Sequence, residues 1–324
     1  MANVARTGTV VGGVFMSEVY GASGGGDGSF NSVLTLSNSP SVNCKLKVTL
    51  NVYLKAYTPS QISDIMARSI AQALGVPIDP NRKYSQYPDS DKKSFLVKDW
   101  QAGEWQNFVS GFVGQAMAWN RKFCLMPPDD FPYFDIYQGK AQYRPNVVCE
   151  FGLNLFYSPT AAHKTIEVVN LNVSAAGAYR SDSGTYSSDD TSPSTVPATT
   201  TPGGTQNYTQ PTVTHEVGHA LGLPHIGVSR GLMHCNLAVI YQKYSTGTLP
   251  ALYTGGSNSN ACYGDNAGPG DAANIMGFGD KFAQENAKPW LDRLNDHSWQ
   301  TFDMSKWKVS LTEIQPMSIV MIKR

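Results

Sequence analysis

Thr214 to His225 reads THEVGHALGLPH and sets His215, Glu216, His219, Gly222 and His225 in the pattern HExxHxxGxxH. The chain has six histidines, and three of them fall in this stretch. Residues four apart share one face of an α-helix, so His215 and His219 can aim their rings at a common point. Neutral imidazole is a ready zinc ligand, and two of them one turn apart suit a tetrahedral ion. Gly222 ends the helix, because glycine takes a left-handed conformation at little cost, and Pro224 prevents its continuation. His225 can then return to the metal as a third ligand. Glu216, next to the first ligand, can reach a water at the remaining position and take its proton as it attacks a carbonyl. Helix histidines held by ordinary hydrogen bonds are the plain alternative, but ligand, breaker and base positions rarely coincide by chance.

These residues resemble the metzincin clan of zinc endopeptidases, whose histidine motif is followed downstream by a methionine turn. Asn274, Ile275, Met276 and Gly277 match that turn, with Met276 as its methionine. Astacin-like and serralysin-like members carry a tyrosine two residues later. Phe278 stands there instead, which excludes a tyrosine ligand at that position. Ile226 follows the third histidine and matches neither the aspartate of reprolysins, the serine of matrixins, the glutamate of astacins nor the proline of serralysins. The clan is therefore assigned and the branch left open.

The resemblance implies an α+β zincin fold. A twisted mixed sheet with a backing helix and the active-site helix would lie above a smaller irregular lower subdomain holding the methionine turn and a C-terminal helix. Residues 1–40, rich in Gly and Ser, read as an irregular extension. Residues 41–324 form the catalytic domain, with its upper part running to about 222 and its lower part over about 223–324. The implied activity is hydrolysis of protein or peptide substrates with Zn²⁺ as cofactor. Glu216 is catalytic, His215, His219 and His225 are the metal ligands, and Met276 is the structural support. Two other readings stand beside it. One is a metal-stabilised binding or structural module without turnover, against which the intact Glu216 counts. The other is a delivered proteolytic effector or toxin.

Composition narrows the partners. With 25 basic and 25 acidic residues the net charge is zero, and no Lys/Arg cluster offers itself to a run of phosphates, so nucleic acid is not expected. No apolar run is long enough to span a bilayer. Charged residues make up only 15%, a balance usual in exported proteins, yet the N-terminus lacks the apolar core of a secretory signal. Export by another route, or prior removal of a leader, is the expectation. Among the five cysteines, Cys235 and Cys262 bracket the segment before the methionine turn and are candidates for a bridge; five reduced thiols are the equal alternative.

Along the chain, Lys45 to Tyr57 alternates as a half-buried strand, and Pro59 to about Leu74 has helical spacing. Glu104 to Arg121, with Trp105, Phe108, Phe112 and Trp119, predicts a backing helix. Strands are expected at Tyr133–Tyr137, Asn146–Tyr157 and Thr165–Val173, the last as the open cleft edge along which an extended substrate would pair. Ser174 to Gln210 has few large apolar residues and reads as a long exposed loop. His234, Tyr253 and Tyr263 are candidates to assist at the oxyanion, and Gly264 to Asp271 is a polar turn whose spacing does not match a calcium loop. Ala283 to His297 reads as a closing helix, and Trp307 to Ile322 as a terminal strand.

Overall fold

The computed structural model describes residues 5–11, 14–21, 28–61, 83, 86, 97–131, 134–138, 141–171, 181, 183–201, 204–223, 273–277, 279–298, 303 and 306–320. Its centre is the alternating segment anticipated near residue 50. In chain order come β1 (Ala5–Val11), β2 (Val14–Gly21), β3 (Asn31–Thr35) and β4 (Cys44–Tyr57). Leu46, Val48, Leu50 and Val52 of β4 are at most 1% exposed, while Lys45 and Lys47 remain in solvent, so the period of two has sorted the strand's faces.

Helix α1 (Ala102–Ala116) follows and tightens into a 3-10 turn at Met117–Trp119. Its start is held where Glu104 folds back to accept the Gln101 N–H at 3.1 Å. Then come β5 (Phe123–Met126), β6 (Ile136–Gln138), β7 (Ala141–Arg144), β8 (Val147–Phe156) and β9 (Lys164–Val169). Strand β10 (Thr185–Ser187) precedes a 3-10 turn at Ser188–Thr191, and β11 (Ser194–Thr201) and β12 (Gly204–Gln210) form a hairpin. Helix α2 (Thr212–Ala220) carries the histidine motif. After it the described chain contains α3 (Lys288–Ser298), β13 (Lys308–Ser310) and β14 (Met317–Val320).

The large sheet runs β1-β2-β3-β4-β8-β5-β13, with β9 on β4 and β10 on β9. Strand β4 is long enough to take two partners in tandem along one side: antiparallel β3 over its first half and parallel β9 over its second. Parallel β8 lies along the other side. A separate three-stranded sheet, β14-β7-β6, is braced by buried Arg144, which donates through Nε to Asp135 at 2.7 Å. The chain is thus of mixed α+β class. The strands after residue 307 return to β5 and β7.

One hydrophobic cluster joins the layers. Phe108, Phe112 and Trp119 of α1 and its 3-10 extension, Phe123 of β5, and Trp290 and Leu294 of α3 pack with the inward residues of β4 and β8. Burying each such aromatic contributes roughly 1.5–3 kcal/mol before ordering costs. No described helix is long and apolar enough to cross a membrane.

Three expectations need correction. Residues 1–40 are not irregular throughout: β1, β2 and β3 extend the main sheet antiparallel to one another. The Gly12-Gly13 pair between the first two is a two-residue hairpin signal that outweighs the glycine-rich composition. Ser174–Gln210 likewise holds β10, a 3-10 turn and a hairpin among its described residues. Backbone pairing of β-branched Thr and Val can order a segment that buries little. Tyr186, fully buried edge-on to Phe112 at 5.7 Å, anchors its start. That anchoring also brings β10 alongside β9 at Glu167–Val169, so this stretch is not an open edge. Of the helix expected from Pro59, the described part is a 3-10 turn over Pro59–Gln61; residues 62–74 lie outside the described residues.

Candidate metal centre

Helix α2 begins after Pro211, with its own first turn fixed from α1. The Gln115 side-chain oxygen accepts the Val213 N–H at 3.1 Å, the Thr214 hydroxyl donates to the Gln115 carbonyl at 2.9 Å, and Trp119 Nε1–H donates to the Thr214 carbonyl at 2.9 Å. The helix ends in a Schellman motif. Gly222 has φ +86°, its N–H meets the His219 carbonyl at 2.7 Å, and the Leu223 N–H meets the Gly218 carbonyl at 2.9 Å. Another segment seals this end: Gly28 donates its N–H to the Ala220 carbonyl at 2.9 Å. A side chain on Gly222 would sit 3.2 Å from the Gly28 Cα.

Between these fixed ends, His215 and His219 point at each other, with ring centroids 4.8 Å apart and planes 84° apart. Each ring has a carbonyl at Nδ1, Ile275 at 2.6 Å for His215 and Leu223 at 2.7 Å for His219. A carbonyl can only accept, so both Nδ1 atoms carry the hydrogen and both Nε2 atoms present lone pairs. Those two Nε2 atoms stand 3.1 Å apart. Burial, with the charge of His219 adding to it, pushes the His215 imidazolium down to about 3, so the ring is neutral near pH 7. Two lone pairs this close call for a cation. Two nitrogens bound to one tetrahedral zinc stand about 3.3 Å apart, so the pair fits that ion as it is.

The methionine turn lies directly beneath. The Asn274 side-chain oxygen accepts the Met276 N–H at 2.8 Å and the Asn286 amide at 3.2 Å, and the Gly277 N–H closes onto the Asn274 carbonyl at 2.8 Å. Met276 is fully buried. Its sulfur would lie only 2.2 Å from a Cβ placed on Gly218, so the motif's second variable position must stay bare for turn and helix to meet. The Ile275 carbonyl that orients His215 belongs to this same turn. Glu216 is buried on α2 between the two histidines in sequence, 7% exposed.

Of the anticipated site residues, the structure brings together His215, His219 and Met276, with Glu216 on the same helix. His225 lies outside the described residues, as do Phe278, His234, Tyr253, Tyr263, the Gly264–Asp271 segment, Cys235 and Cys262. The described residues contain no cluster of three or more His, Cys, Asp or Glu side chains suited to a metal. Cys44, Cys124 and Cys149 are free and buried, and burial raises the Cys44 thiol to about 11. Motif reading missed Gln210 and Gln115, and it placed Asn274 in the turn and Trp119 on the backing helix without giving either a role at the site. Asn274 had a visible signal, being an Asx residue at the head of the turn; the others touch the motif only through tertiary packing. No known protein family matches the chain, and neither does a curated protein or a solved structure.

Proposed function

We propose that this chain is a zinc-dependent endopeptidase of the metzincin type, acting on protein or peptide substrates outside the cell that makes it. The observation that carries the reading is the facing pair of imidazoles, each turned by a backbone carbonyl so that the two Nε2 atoms meet at 3.1 Å. In this reading His215, His219 and His225 hold the ion, and Met276 supports the ligand helix from below. Bound zinc supplies a Lewis acid for the scissile carbonyl and acidifies water toward a pKa of about 7. Glu216 takes the proton of the attacking water and passes it to the leaving amine. Both imidazoles keep their Nδ1 hydrogens engaged with carbonyls, which leaves Glu216 as the proton carrier on this helix.

Metal analysis combined with digestion of a peptide library tests the reading. Stoichiometric zinc and cleavage that stops on adding a chelator are expected. Glu216→Ala should keep the zinc and lose hydrolysis by at least ~10²-fold. Should that variant cut casein as fast as the parent, Glu216 is not the base.

A further inference from the structure

We infer that Gln210 is a positioning residue of the metal centre, acting through His215 and the methionine turn; this rests on the zinc reading above. Gln210 is the last residue of β12 and directly precedes Pro211, so the hairpin β11–β12 delivers it to the foot of the ligand helix. Its side-chain nitrogen donates to the Gly277 carbonyl at 2.8 Å and lies 3.1 Å from His215 Nδ1. The same Nδ1 donates to the Ile275 carbonyl at 2.6 Å. One carboxamide therefore touches both the ligand ring and the turn whose backbone orients it.

The chemistry at this spot selects an amide in one orientation. Turned over, its oxygen would face the Gly277 carbonyl, acceptor against acceptor, so the nitrogen side is fixed toward the turn and the ring. The Nδ1–H already donates to the Ile275 carbonyl, so the amide nitrogen makes no hydrogen bond to the ring and acts as a packed neighbour that limits where the ring can turn. The bond to Ile275 is what turns His215 Nε2 toward His219 Nε2. Without the amide, the Gly277 carbonyl loses its donor and the ring loses the neighbour that limits its rotation. Partners of this kind, one step behind a ligand, commonly alter metal affinity by about 10–100-fold.

The test compares parent, Gln210→Ala and Gln210→Met, the last keeping length without the donor. Zinc affinity is measured by competition with a chromophoric chelator. The visible absorption of the Co²⁺-loaded proteins reports the ligand field, and melting of the metal-free proteins reports folding. Both variants are expected to bind zinc about 10–100-fold more weakly and to show a shifted Co²⁺ spectrum at saturation, a change that loss of stability alone would not produce. If Gln210→Ala does not fold, Gln210→Met decides. A variant that matches the parent within about twofold in affinity, with an unchanged spectrum, overturns the inference and leaves the zinc reading standing. A parent that takes up no zinc overturns both.

Discussion

At the residue scale, the site depends on two glycines as much as on its histidines. Gly218 is bare because Met276 and Trp119 occupy the space that a Cβ would take. Gly218→Ala is expected to destabilise the fold by about 1–3 kcal/mol, the usual cost of overpacking, read as a lowered denaturant midpoint. Gly222 has φ +86° and abuts Gly28. Gly222→Ala should cost about 1–2 kcal/mol from the left-handed backbone, and should weaken zinc binding because this turn leads into the segment containing His225. Equilibrium unfolding and zinc titration of the same preparation check both effects.

The facing of His215 and His219 was legible in advance because residues four apart share one face of a helix. The stop at Gly222 was legible too, since glycine takes the left-handed backbone that ends the helix. What lay hidden was the support. Gln210 and Gln115 carry no pattern of their own, and Trp119 reads only as a core residue, since their part in the site comes from contacts that exist only after distant segments pack.

At the element scale, α1 serves as the frame for α2. Trp119→Phe keeps most of the packed ring but removes the indole N–H that donates to the Thr214 carbonyl, and is expected to cost about 0.5–1.5 kcal/mol, checked by denaturant unfolding. The turn at Ser188–Thr191, which follows β10, gives a pH signature. Burial raises the Asp190 carboxyl to about 6 from 3.8, against the Ser181 hydroxyl and Ser187 N–H that bond to it and favour its ionised form. The folded chain thus keeps this proton where the unfolded chain has lost it. Its contribution is fully present below pH 3.8 and is lost as pH rises through about 6. Asp190→Asn, neutral throughout, should lose less melting temperature than the parent between about pH 4 and about pH 8.

Strand β4 and helix α1 were readable from period alone, since each buries one face on a single core. Strands β1, β2, β11 and β12 were not. Their sequences are rich in Gly, Ser or Thr, and their order comes from backbone pairing with a neighbour that composition does not reveal. Strand β9 looked like an edge because nothing in its own residues announces that β10 will arrive beside it.

At the scale of the whole molecule, helix α2 is held by α1, by the turn at Asn274–Gly277 and by the segment at Gly28, so on the zinc reading an ion bound to its histidines would stabilise all of them together. Zinc at about a thousand times its dissociation constant would add about 4 kcal/mol. Chelation is therefore expected to lower the melting temperature in one cooperative step, monitored by calorimetry with and without zinc. A chain whose melting did not respond to either would exclude a metal-coupled fold.

The abutment of Gly28 on Gly222 joins residues made far apart in time during synthesis. Gly28, just ahead of β3, is made long before the ligand helix, yet its N–H closes that helix at the Ala220 carbonyl. On the zinc reading, holding the ion requires both that early segment and the turn at Asn274–Gly277, so a nascent chain halted before residue 277 is expected to bind zinc more weakly than the full chain.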